Sequence, residues 1–280
     1  MSDSSSICGR LNHIAACAGE ALREELAAYP KPGLVSYRDS GSHEDMDADT
    51  FLTSMNSLKP HFKSAAMAGS KKASMNELRR QGRKAERDML AATRGINTHR
   101  GAIFSLGLIC AAAGARAAEP DATKRKALGR IVAQRWGADI LERNAFEGTS
   151  HGQSVFRRYG ACGARGEAAN GFPHVYRVGL PALRDALKHH PSEKAVIQCL
   201  FTLLARVPDT TLLHRGGMDG LAFCRKAARW FLERGGVNMP DWFEQAEILH
   251  GEFIKRRLSG GGVADLLAAT LLVHHLEEAI

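Results

Sequence analysis

A chain of 280 residues with 44% hydrophobic and 24% charged side chains can bury a large core, which excludes disorder throughout; 6% aromatics with abundant Ala and Leu favour helix over strand. The net charge of +8 comes from dispersed Lys and Arg, with runs only at 124–126 and 255–257 and no aromatics between them, which argues against nucleic acid and for a small phosphorylated ligand. Six cysteines without a CxxC pair exclude a disulfide frame or zinc site, and with neither a signal-type N-terminus nor an apolar run of transmembrane length, the expected setting is the cytoplasm, without a membrane partner.

In chain order, residues 1–6 are expected to be disordered. A helix is predicted over 7–28, with Leu11, Ile14, Ala18, Leu22 and Leu26 on one face. Pro30-Lys31-Pro32-Gly33 stops it, and a loop over 34–47 follows. Asp49 or Thr50 is the expected cap of a helix reaching 68. A helix over 75–93 ends at Gly95. The next starts after Asn97 and Thr98 and runs through 101–113, where many Ala and Gly residues call for close packing. A break at 119–121 precedes a helix over 122–143. Residues 149–175 read as Gly-rich and irregular, with one helical piece at 153–159. Helices are predicted over 180–189, 193–204, 218–233, 241–258 and 263–278, the last after Gly260-Gly261-Gly262. With no strand pattern, repeat or linker, the expected fold is all-α, a single compact multi-helix domain over 7–280.

Five features carry polar chemistry. The turn Arg94-Gly95-Ile96-Asn97-Thr98-His99-Arg100-Gly101 opens a helix, and a helix N-terminus attracts phosphate through its unpaired N–H groups and dipole. Arg94, His99 and Arg100 add donors; the plainer alternative is a capped turn with solvated charges. His43-Glu44-Asp45-Met46-Asp47 is dense enough in carboxylate to hold Mg²⁺ beside a substrate phosphate, or to serve as caps. Glu86 is either an ion-pair partner of Arg83 and Arg87 or, if it faces Asn97, a base or metal ligand. Asp209, His214, Arg215, Gly216 and Gly217 cluster between two apolar helices. Gly260, Gly261 and Gly262 can form an anion nest before Asp265.

Taken together and in order, these motifs resemble the triphosphoribosyl-dephospho-CoA synthase family, the CitG/MdcB type. The matching segments are Pro-Lys-Pro-Gly-Leu-Val at 30–35, Gly-Ser-His-Glu-Asp-Met-Asp at 41–47, and Gly-Ile-Asn-Thr-His-Arg-Gly-Ala-Ile-Phe at 95–104. Further on come Gly-Ala-Arg-Gly-Glu-Ala at 163–168 with Gly-Phe-Pro at 171–173, Asp-Thr-Thr at 209–211 with His-Arg-Gly-Gly at 214–217, and Gly-Gly-Val-Ala-Asp-Leu-Leu-Ala at 261–268. The likeness spans residue 10 to the C-terminus. In the last loop Gly260 replaces a usual Pro, and Val263 replaces a usual Ser or Cys. Ser36 stands where citrate-lyase members tend to carry Asp, and the 34–43 string is closer to the malonate decarboxylase branch.

The resemblance implies an all-α enzyme that joins ATP to 3′-dephospho-CoA, releases adenine, and passes its product toward the prosthetic group of an acyl carrier protein. Such glycosyl transfer needs a carboxylate for the hydroxyl proton, a donor for adenine and a triphosphate clamp. On that basis Asp45, Glu86 and Asp209 are the candidate catalytic carboxylates, with His43 a second candidate acid. Lys31, Asn97, Thr98, His99, Arg100, Arg215, Gly261 and Gly262 are the expected nucleotide contacts. Asp45, Glu86, Asp209 and Asp265 are the expected Mg²⁺ ligands. Ala- and Gly-rich apolar helices are compatible with a homodimer. Two alternatives use the same polyphosphate site: a nucleotide phosphohydrolase, which would release phosphate from ATP, and a noncatalytic nucleotide-binding partner of a decarboxylase, which would release nothing.

Overall fold

The helices over Arg100–Ala118 and Gly261–Glu278 are apolar on every side, and a helix without a polar face is stable only inside a protein. The computed structural model describes residues 2–119, 126–142 and 151–278, with 2–6 and 151–153 as backbone alone. Among these there are helices and no strands, so the all-α expectation holds. In order they are α1 (Ser2–Ala27), α2 (Ala48–Ser70), α3 (Met75–Ala92), α4 (Arg100–Ala118), α5 (Leu128–Leu141) and α6 (His151–Tyr159). Then come α7 (Gly163–Ala169), α8 (Leu180–Leu187), α9 (Ser192–Arg206), α10 (Thr210–Glu233), α11 (Trp242–Lys255) and α12 (Gly261–Glu278). A π turn over Val175–Gly179 leads into α8, and a 3₁₀ turn over Gly236–Asn238 joins α10 to α11.

Helices α4 and α12 form the centre, wrapped by α1, α2, α5 and α9. One continuous hydrophobic core runs from Leu11 to Leu276. An 18-residue window of α4 reaches a mean hydropathy of 1.6, long and apolar enough to cross a membrane by length and composition alone. That corrects the expectation that no apolar run is long enough; here its burial is supplied by neighbouring helices. The expected close packing is real. A Cβ at Gly69 would come within 1.8 Å of the Ala111 carbonyl, and one at Gly114 within 1.8 Å of the Ala66 carbonyl. The small-residue face of α4 that suggested self-association is thus used against α2.

The boundaries shift for local reasons. Helix α1 starts at Ser2, not at residue 7. The cap of α2 is Asp47, whose carboxylate accepts the Thr50 N–H at 2.9 Å, in place of the expected Asp49 or Thr50. Helix α10 begins at Thr210, well before the expected 218, because Asp209 caps it ahead of the glycines. Gly217 then takes φ 62, ψ −158, which is not helical, so α10 is two helical pieces joined at a kink, and the second starts at the expected 218. The Gly-rich stretch before α8 holds α7, which was expected to be irregular. The predicted features at 120–125 and 143–150 lie outside the described residues.

Candidate active site

Segments far apart in sequence line one cavity of about 1710 Å³. The loop before α2 contributes His43 and Asp45. Helix α3 contributes Arg79, Arg83 and Glu86. The turn into α4 adds Asn97, Thr98, His99, Arg100 and Gly101, and α7 adds Arg165. The starts of α10 and α12 supply Asp209, Arg215, Gly261, Gly262 and Asp265. Twelve of the thirteen residues expected from the motifs therefore converge. The exception is Lys31, which is fully buried; its Nζ donates to Glu25 Oε1 at 2.7 Å and to the Glu25 carbonyl at 2.6 Å. Glu25 itself faces the cavity, so Lys31 stands behind the wall instead of contacting a nucleotide there.

The helix N-termini expected to bind phosphate already hold carboxylates of the chain. Asp209 is 1% exposed. Its Oδ1 accepts the Thr211 and Leu212 N–H groups at 2.7 and 2.9 Å, capping α10, while Oδ2 accepts the Val263 N–H at 2.7 Å in the first turn of α12. Gly262 N–H also stabilises this carboxylate against burial, which pushes its pKa upward. Asp209 thus clasps two helices while lining the cavity, and in the Gly261–Gly262 turn the Gly262 and Val263 N–H groups point to this carboxylate. Asp265 plays the equivalent part at α4. It accepts the Ala102 N–H, and a Cβ at Gly101 would lie 1.8 Å from its Oδ2. Burial first, then the charges of Asp209 and Glu25, raise its pKa well above the usual carboxylate range.

His99 occupies the N-cap position of α4 without a side-chain cap; Asn97 Oδ1 takes the Arg100 N–H at 3.3 Å instead. The Thr98 hydroxyl donates to Ser54 Oγ at 2.7 Å, and Ser54 Oγ lies 2.7 Å from His99 Nδ1. With Thr98 donating to Ser54 and Ser54 donating to Nδ1, the imidazole proton sits on Nε2. That nitrogen is buried without a hydrogen-bond partner, on a residue that lines the cavity. Burial and the nearby Lys31 charge lower the His99 pKa to about 3, so it meets a ligand as a neutral donor and not as a cation.

His43 is tied down. Arg215 donates to its Nδ1 at 3.3 Å, which leaves the proton on Nε2, 2.9 Å from Ser259 Oγ. Burial and Arg215 hold its pKa below the ordinary value. Its Nε2 faces Ser259, and these contacts hold the loop in place. Arg215 also donates to the Ser42 and Arg257 carbonyls at 3.2 Å each, pinning the same loop. Glu86 is ion-paired with Arg100 across the mouth of α4. Asp45 is 64% exposed and lies 3.8 Å from His43 Nδ1. Among the described residues no three His, Cys, Asp or Glu side chains converge as a metal cage. All four expected ligands line the cavity: Asp45 is the exposed one, Glu86 pairs with Arg100, and Asp209 and Asp265 accept backbone N–H groups.

Sequence reasoning gave no site role to Glu25, Arg79, Arg83 or Arg165, although Arg165 stands in the 163–168 motif. Glu25 sits between Leu22 and Leu26 on the apolar face of α1, a core position where an acid signals a buried partner. Arg79 and Arg83 are spaced i, i+4 along α3.

The comparisons agree with this geometry. A family model described as CitG: ATP:dephospho-CoA triphosphoribosyl transferase matches residues 11–280. A probable 2-(5″-triphosphoribosyl)-3′-dephosphocoenzyme-A synthase of Acinetobacter calcoaceticus is 38% identical over 261 residues, 93% of this chain and 89% of that protein. The 2-(5″-triphosphoribosyl)-3′-dephosphocoenzyme-A synthase of Pectobacterium atrosepticum is 41% identical over 266 residues, covering 91% and 86%. No solved structure matches. With matched motifs from six segments lining one cavity, the chain belongs to the CitG family of ATP:dephospho-CoA triphosphoribosyl transferases.

Proposed function

We propose that this chain joins ATP and 3′-dephospho-CoA in that cavity, giving 2′-(5″-triphosphoribosyl)-3′-dephospho-CoA and adenine. The observation that carries the reading is the size and lining of the cavity. At about 1710 Å³ it exceeds the ~300–1,000 Å³ of a site for one small ligand, so it has room for two nucleotides.

The 2′-hydroxyl of dephospho-CoA attacks C1 of the ATP ribose, the C1–N9 bond breaks, and adenine leaves through an oxocarbenium-like transition state. Asp265 is the carboxylate best placed to take the hydroxyl proton: it faces the cavity, and its burial makes it more basic than an exposed Asp. The neutral His99 Nε2–H is a fixed donor toward the substrate. Arg100 and Arg215 supply positive charge to the triphosphate. Mg²⁺ fits as an ion carried on the triphosphate, since it keeps water and phosphate ligands and needs only one or two carboxylates; Asp45 and Asp265 are available for that. A cytoplasmic location suits an ATP-consuming enzyme with six free cysteines.

The malonate decarboxylase branch is favoured by Ser36. Its hydroxyl is buried and accepts the Arg38 N–H at 3.1 Å, beside Asp39, whose carboxylate receives His250 Nε2 at 3.0 Å. An Asp in that place would bury a second acid beside Asp39. Loss of the gene should then block malonate decarboxylation and spare citrate cleavage; the reverse result overturns this branch.

Incubation with ATP, Mg²⁺ and dephospho-CoA, followed by mass measurement, tests the reaction. Adenine and the triphosphoribosyl adduct are expected. Free phosphate without adenine would make the chain a phosphohydrolase, and neither product would overturn both readings.

A further inference from the structure

The helix ends that attract phosphate are filled by Asp209 and Asp265, so the phosphates of two nucleotides must find cations on side chains. Arg100 and Arg215 account for one group. A second set lies along α3. Residues Leu78, Arg79, Gly82, Arg83 and Glu86 form one stripe facing the cavity. A Cβ at Gly82 would meet nothing within 4 Å, so the space between the two arginines is open. Arg79 donates to Asn76 Oδ1 at 2.9 Å and to the Asp139 carbonyl, which fixes it against the last turn of α5. Arg83 forms no ion pair among the described residues. Glu86, the acid of the stripe, is already taken by Arg100.

Helix α7, packed on α5, brings Arg165 to the same end of the cavity. Burial and the charge of Arg79 lower the pKa of Arg165, so two guanidinium groups share a partly enclosed space. Three guanidinium groups facing one cavity favour an anion there. Arginine also grips phosphate in a bidentate way.

The surroundings select which anion. Leu141 and Phe156 also line the cavity and are 47% and 38% exposed, which is unusual for large apolar side chains in a cavity wall; Leu141 lies two residues beyond Asp139, whose carbonyl holds Arg79. ATP ends at its phosphates. Dephospho-CoA carries a diphosphate followed by a long, weakly polar pantetheine arm.

We propose that Arg79, Arg83 and Arg165 form a second anion subsite, which takes the diphosphate of dephospho-CoA while its pantetheine arm lies over Leu141 and Phe156. This rests on the reading of the chain as the transferase, and it separates the two substrates: ATP at Arg100 and Arg215, the acceptor at the α3–α7 arginines.

The test uses the full chain and the variants Arg83→Gln and Arg165→Gln. Each should raise KM for dephospho-CoA by ~10-fold with no matching rise in KM for ATP. With adenosine as the acceptor, which lacks both diphosphate and arm, the variants should match the wild type. Direct titration of dephospho-CoA by calorimetry should show the same ~10-fold weakening without turnover. Equal effects on both substrates, a penalty that persists with adenosine, or unchanged affinity for dephospho-CoA would overturn the subsite. If the wild type binds dephospho-CoA in these titrations but forms no adenine, the reaction fails and the subsite stands on binding alone. Arg83 is exposed and forms no ion pair among the described residues, so its variant should fold even if Arg165→Gln does not.

Discussion

Asp209 Oδ2 accepts the Val263 N–H at 2.7 Å, so the carboxylate that caps α10 also closes the first turn of α12. One side chain thereby joins two chain segments that both reach the cavity. Asp209→Asn replaces one acceptor oxygen by a donor that faces an N–H. Lost caps and an unpaired buried N–H should cost about 2–4 kcal/mol and lower the Tm. Thermal melting checks this. Unchanged stability with lost turnover would return Asp209 to the chemistry.

The neutrality of His99 has a pH signature. Its folded-state value of about 3 lies below the ordinary 6.5, so unfolding takes up a proton. Stability contributed by the neutral ring is complete above 6.5 and falls as pH drops from there toward 3. His99→Asn, which cannot titrate, should reduce that acid-side loss in urea melts at pH 7 and pH 5. Turnover should fall ~10²-fold at pH 7 if Nε2–H contacts substrate. A ring that protonates near pH 6 by NMR would contradict the assignment.

The contact of Gly101 with Asp265 leaves no room for a methyl group. Gly101→Ala would put Cβ 1.8 Å from Oδ2 and must push the carboxylate aside. Turnover should drop ~10²-fold, because a displacement near 1 Å is enough to spoil a reacting geometry. Stability should change far less than in Gly114→Ala, where the obstacle is the Ala66 backbone at 1.8 Å and the loss should be about 2 kcal/mol or more. Parallel assays of rate and melting separate the two.

His275 Nε2 lies 2.7 Å from Glu24 Oε1, joining α12 to α1 outside the cavity lining. The hydrogen bond to Glu24 raises the His275 pKa above its ordinary 6.5. The added stability is complete below 6.5 and disappears as pH rises through the folded-state value. Both groups are partly exposed, so the effect should be about 1 kcal/mol or less. His275→Gln should flatten stability between pH 6 and pH 8 and leave activity unchanged; a parallel loss in the variant would exclude this pair as the cause.

The all-α class, the apolar character of α4 and α12 and the gathering of six motifs were legible in the sequence. Periodicity and Ala/Gly content are local properties, and local propensity decides where a helix forms. Asp45, His99 and Asp265 were recognisable as residue types in suitable turns. What each side chain faces was decided by packing. Asp209 and Asp265 look alike in sequence as acids at helix starts. Only in the fold does one close on α10 and α12 and the other press on Gly101 of α4, because carboxylates sealed from water must find N–H groups across elements. The turn at 94–101 keeps its place in the site but changes its role: its helix end is already satisfied by Asp265, and its His99 is neutral. The phosphate-binding charge shifts to arginines on α3, α4, α7 and α10, brought together by burial of the helices that carry them.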